Sequence, residues 1–142
     1  MAAGLSIREA DFEKFKTCFE MVVKSLITEA DLASTLIVDG ALDEHEMQLA
    51  TVNLLNDQVW GQGFAPPLFF DTFAVVSQKI LKEKHLKLQV KKNASVFDAI
   101  YFGYAEVVPD HVVMAYQLNI NRYNGQEKVQ LMVRYLSDHA LT

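Results

Sequence analysis

A chain of 142 residues that is 51% hydrophobic and 22% charged has the make-up of an average globular protein, which excludes a disordered chain and allows one ordinary domain or two small ones. Its longest apolar runs, such as Phe73 to Val76 and Val112 to Tyr116, fall far short of the roughly 20 residues of a membrane-spanning helix. No basic stretch leading into an apolar core opens the chain, so no secretory signal and no membrane partner are expected, and the expected location is the cytoplasm. The net charge of −5 is unevenly divided: residues 1 to 70 carry four basic and eleven acidic side chains, net −7, and residues 71 to 142 carry nine and seven, net +2. An acidic half beside a basic one points to two modules with different tasks.

Phe12, Phe15, Phe19, Val22, Val23 and Leu26 recur at spacings of three and four among Glu13, Lys14, Lys16 and Glu20, the pattern of a one-faced helix. Ser6 with Glu9 could form a capping box ahead of it, or Asp11 could cap a later start. The lone Cys18 excludes an internal disulfide, and its place on the apolar stripe predicts a buried, inert thiol. Thr35 to Val38, β-branched and apolar and closed by Asp39-Gly40, reads as a short buried strand. A second helix is expected from Asp43, capped with Glu46 at its third position, with Met47, Ala50, Thr51 and Leu54 inward. From Gln58 to Pro67 two glycines and two prolines break any regular element and mark residues 58–70 as a linker. The glycines lack the lysine-ended spacing of a phosphate loop.

After Phe69 the period becomes two. Leu86, Leu88 and Val90 alternate with Lys87, Gln89 and Lys91, and Val112 to Asn121 continues the pattern. Asn124-Gly125 marks a tight hairpin, beyond which Val129, Leu131, Val133 and Tyr135 share the apolar face and Lys128, Gln130, Met132 and Arg134 the outer one. With strands around Thr72 to Leu81 and Val96 to Phe102, residues 71–142 give five strands and suggest a five-stranded antiparallel OB-type β-barrel behind an α+β part of two helices and a short strand. Periodicity alone fits a sandwich or an SH3-like barrel as well. The phase of Val96 to Phe102 is ambiguous, so Tyr101 has no assigned side.

Several segments together resemble the C-terminal half of the RecJ family, bacterial exonucleases that degrade single-stranded DNA from the 5′ end in DNA repair and recombination. Met1-Ala2-Ala3-Gly4-Leu5 is similar to the end of a Gly-Gly-His-x-x-Ala-Ala-Gly motif in that family's DHHA1-type accessory domain, with the Gly-Gly-His part absent. Trp60-Gly61-Gln62 with Pro67-Leu68-Phe69 resembles its connecting segment. His85-Leu86-Lys87-Leu88, Phe97-Asp98-Ala99-Ile100, Leu118-Asn119-Ile120-Asn121, Tyr123-Asn124-Gly125 and Val129-Gln130-Leu131 resemble its barrel strands and last hairpin.

The resemblance implies that residues 1–57 end an accessory domain, that 71–142 are an OB-fold, and that a catalytic domain using Mn2+ or Mg2+ lies upstream. The Asp-His-His motif of that domain does not occur in this chain. Asp110-His111 and Asp138-His139 each lack the second histidine, and His45 and His85 stand alone, without metal-site spacing. No catalytic residue and no metal ligand is therefore expected within these residues.

An OB barrel holds a single strand by running phosphates along basic side chains while aromatic faces stack on bases. The residues that fit are Lys84, Lys87, Lys91, Arg122, Tyr123, Lys128 and Arg134. Expected partners are single-stranded DNA, the nuclease domain of the same chain and a single-strand-binding protein. The plain alternative is that the lysines only solvate strand edges. A functional alternative is a protein-docking module using the barrel edge or the Phe64 to Phe70 surface. Relatives of the family that cleave small nucleotides share its accessory domain, but a C-terminal barrel argues against them.

Overall fold

The computed structural model describes residues 4–28 and 35–137, and the chain falls into two compact units, Met1–Leu36 and Ile37–Thr142. Asp138-His139 lies outside the described residues. In the first unit a 3-10 turn, Glu9–Asp11, leads into helix α1, Phe12–Leu26. Asp11 is at the N-cap position without a side-chain capping bond; its carboxylate instead accepts from Arg8 Nε at 2.8 Å. The apolar stripe forms as expected, with Phe15 and Phe19 stacked at 5.6 Å. No residue of α1 is buried, and Cys18, expected to be buried, is exposed. Periodicity identified the stripe, but burial also needs a covering element, and none is among the described residues of this unit.

Thr35 to Val38, at the boundary of the two units, form no strand, and Ile37 is 84% exposed. The next two residues make the ladder bonds instead. Asp39 N donates to Leu68 O (2.8 Å), Phe70 N donates to Gly40 O (2.9 Å), and Leu68 N donates to Asp39 Oδ2 (2.9 Å). The Asp43/Glu46 capping box forms, on a 3-10 turn, Glu44–Glu46, followed by helix α2, Leu49–Asn56. The inner face of α2 is not the one expected: Val52 is buried and Leu54 is 64% exposed, because the helix starts at Leu49 after a break at Met47 that resets the phase. Trp60 stacks on Phe64 at 5.2 Å across a bridge between Gly61 and Phe64, and its Nε1 donates to Leu55 O at 2.8 Å.

Five strands follow: β1 Phe69–Leu81, β2 His85–Lys92, β3 Ser95–Phe102, β4 His111–Tyr123 and β5 Gln126–Ser137. They close into a barrel in the order β1-β2-β3-β5-β4. The expectation of a purely antiparallel barrel is corrected. Strand direction alternates along the chain, so the two odd-numbered neighbours β3 and β5 must run the same way, and they pair in parallel through Asp98/Gln130, Ala99/Leu131 and Ile100/Met132. The β1 strand serves two partners, β4 through Phe69 to Ala74 and β2 through Ala74 to Leu81. A bulge between Val75 and Ser77 inserts the residue that bends it. Asn124 (φ 50°) and Gly125 (φ 74°) make the expected β4–β5 hairpin, whose left-handed backbone suits these two residues.

Phe73, Leu86, Leu88, Val90, Val112, Met114, Tyr116 and Leu131 are fully buried inside the barrel. Met47 and Val52 join the same cluster, so α2 plugs the barrel against β4 and β5. Burial, with a smaller contribution from the Asp71 carboxylate, pushes the Tyr116 hydroxyl well above its ordinary pKa. Lys92 Nζ donates to Asp71 Oδ2 and Leu42 O, both partners of the ion pair being mostly buried. It ties the segment ahead of the turn to the barrel wall.

Candidate nucleic-acid interface

Inward-pointing Leu86, Leu88 and Val90 leave Lys87, Gln89 and Lys91 on the outer face of β2, as alternation requires. The ladder extends this face sideways. Lys87 pairs with Lys79 on β1 and Ile100 on β3, and Ile100 pairs with Met132 on β5. In the next row Gln89 pairs with Ser77 and Asp98, and Asp98 with Gln130. Lys91 opposes Val96, and Lys128 opposes Asn121. Four lysines thus project from one curved surface built on β1, β2 and β5, and among the described residues none of them makes an ion pair. Lys79 and Lys87 are directly opposite each other, a like-charge pairing that costs stability and that a bound anion relieves.

Lys87, Lys128 and Tyr123 line a cavity of about 250 Å3 together with Asp98, Asn121 and Gln126. A larger groove of about 710 Å3, sharing Asp98 and Lys128, continues past Gln89 and Val96 to the start of α2. Tyr123 is 72% exposed, so its ring is open to stacking.

Of the seven residues singled out by sequence, Lys87, Tyr123 and Lys128 come together at this cavity, and Lys91 shares their face. The other three do not converge on it. Lys84 sits in the β1–β2 turn, its N–H donating to Leu81 O at 3.0 Å, at the far end of β2. Arg122 Nε is paired with Glu127 Oε1 at 2.7 Å. Arg134 donates through Nε and Nη2 to Gln117 Oε1 at 3.0 and 2.9 Å, toward the end of β5, where its carbonyl accepts from Tyr101. Tyr101 itself is half-buried and stacks on Tyr104 at 5.0 Å.

Sequence reasoning passed over Lys79, Asp98, Asn121 and Gln126. The bulge hid the phase of Lys79, and the other three bear on the cavity only through cross-strand register. The described residues bring together no group of three or more His, Cys, Asp or Glu fit to hold a metal ion. No described helix is long and apolar enough to cross a membrane.

The model of the RecJ OB domain family matches residues 38–135, which takes in the α2 plug and all of the barrel but the last two residues of β5. The chain belongs to the RecJ family. Its relatives include the single-stranded-DNA-specific exonuclease RecJ of Haemophilus influenzae, 35% identical over 96% of this chain and 25% of that protein, and of Salmonella typhimurium, 36% identical over 94% and 24%. The chain spans about a quarter of the length of these curated relatives. Among solved structures, RecJ of Thermus thermophilus in complex with Mg2+ matches with a TM-score of 0.74 at 21% identity, covering 96% of this chain and 21% of that one. Its Mn2+ complex matches at 0.75 and 22%, and at that identity the likeness is one of fold.

Proposed function

We propose that this RecJ-family barrel holds single-stranded DNA for a metal-dependent 5′-to-3′ exonuclease of DNA repair and recombination, and that residues 1–142 are inactive alone. The observation that carries the reading is the gathering of Lys79, Lys87, Lys91 and Lys128 on one outer face beside the exposed ring of Tyr123. Phosphates run along the lysines while Tyr123 stacks on a base, which is worth about 1 to 3 kcal/mol. On this reading residues 1–57 belong to the end of the accessory domain and position the barrel relative to the nuclease domain, which holds Mn2+ or Mg2+. Titrating a labelled dT15 oligonucleotide into the chain at several salt concentrations tests it. A log K against log salt slope of about −2 to −3 is expected for three or four cations, and affinity that ignores salt overturns it.

A second reading is a protein-docking role, as for a single-strand-binding protein, and the exposed Val59 and Phe64 favour it. Binding of such a partner without any binding of oligonucleotide would select it.

A further inference from the structure

A surface built only to grip phosphates has no use for a carboxylate at its centre, yet Asp98 is there. It is half-buried in the wall shared by both grooves, with Lys87 and Lys128 lining the smaller one alongside it. Among the described residues its carboxylate accepts no hydrogen bond and joins no ion pair. It is therefore not the counter-ion of either lysine. It weakens the local positive potential and leaves an unused acceptor pair facing a cavity with a stacking ring on its wall.

We infer that this cavity reads one nucleobase of the bound strand, with Asp98 as the specificity-determining residue and guanine as the favoured base. The inference rests on the single-strand reading above. An ionised carboxylate only accepts hydrogen bonds, through two oxygens side by side. Guanine offers two adjacent parallel donors, N1–H and the exocyclic N2–H, and meets it with two charge-assisted bonds. Cytosine and adenine each offer one amino donor beside a ring nitrogen that repels the second oxygen, and thymine sets its single N–H between two carbonyls. Tyr123 holds the base by its face whatever its identity, so the choice falls to Asp98. Lys87 and Lys128 hold the flanking phosphates and offset the repulsion between those phosphates and the carboxylate.

The test compares dT12, d(TG)6 and d(TI)6, in which inosine lacks the exocyclic amino group, by fluorescence anisotropy with the wild-type chain and with Asp98→Asn. Wild type should bind d(TG)6 about fivefold or more tighter than dT12, with d(TI)6 between them. Asp98→Asn should bring all three within about twofold of one another, with dT12 bound at least as well as by wild type and an unchanged circular dichroism melt. Equal wild-type affinities, or a guanine preference that survives in Asp98→Asn, overturn the base-reading role and leave the strand-holding role standing. Failure of wild type to bind any of the three overturns both.

Discussion

Neutralising two of the four outward lysines gives a quantitative account of the interface. Each lysine that meets a phosphate of a single strand contributes about −0.7 to the slope of log K against log salt, so Lys79, Lys87, Lys91 and Lys128 together give about −2.8. Raising salt from 50 to 200 mM should then weaken wild type about 50-fold. In the Lys87→Gln/Lys128→Gln double variant the slope should fall to about −1.4 and the loss to about sevenfold. Lys92→Gln provides the control. Its charge is already held by Asp71 in the barrel wall, so removing that one charge should leave the slope alone. Anisotropy titrations at five or six salt concentrations measure all three. A double variant with the wild-type slope would show that these lysines do not meet the phosphates, and a Lys92→Gln variant with a reduced slope would show that net charge and not the geometry of this face governs binding.

Leu131 is fully buried among both sheet partners of β5, so Leu131→Ala should cost about 2 to 5 kcal/mol, read as a lowered urea midpoint; an unchanged midpoint would contradict the packing. Lys92→Met leaves the Asp71 carboxylate, 19% exposed, without its partner and should cost about 1 to 3 kcal/mol. Adding Asp71→Asn should recover part of that loss, and two additive losses would exclude the pair. The Glu44 carboxyl is held below its usual 4.5, chiefly by the hydrogen bond that Ser95 Oγ donates to it. A carboxyl depressed by folding contributes stability above its unfolded pKa and loses it as pH falls through the folded one. Thermal melts should therefore show wild type losing stability below about pH 4.5 more steeply than Glu44→Gln, and parallel curves would refute the contact.

Much of the barrel was legible because each strand has one wet and one greasy side. Leu86, Leu88 and Val90 on β2 and Leu131 and Val133 on β5 are buried as their alternation requires, and Asn124-Gly125 turns where its backbone freedom says it should. Long-range geometry was not legible. The parallel β3–β5 pair follows from which strands become neighbours on closure, and no local pattern encodes that. The bulge in β1 reverses the phase after Val75, which hid Lys79 opposite Lys87. Arg122 and Arg134 are held by Glu127 and Gln117, cross-strand contacts that no local pattern encodes. Thr35 to Val38 has strand composition without a strand partner.

The α2 plug and the Lys92 anchor bear on how this fold can be transplanted. Val52 and Met47 seal one mouth of the cylinder, and Leu42 accepts from a lysine fifty residues downstream. Cutting at the glycine- and proline-rich stretch near residue 60, where composition invites it, would uncover Tyr116 and strip Lys92 of one of its two acceptors. A graft onto a different protein keeps the barrel's own lining intact only if the seam is placed ahead of Ile37.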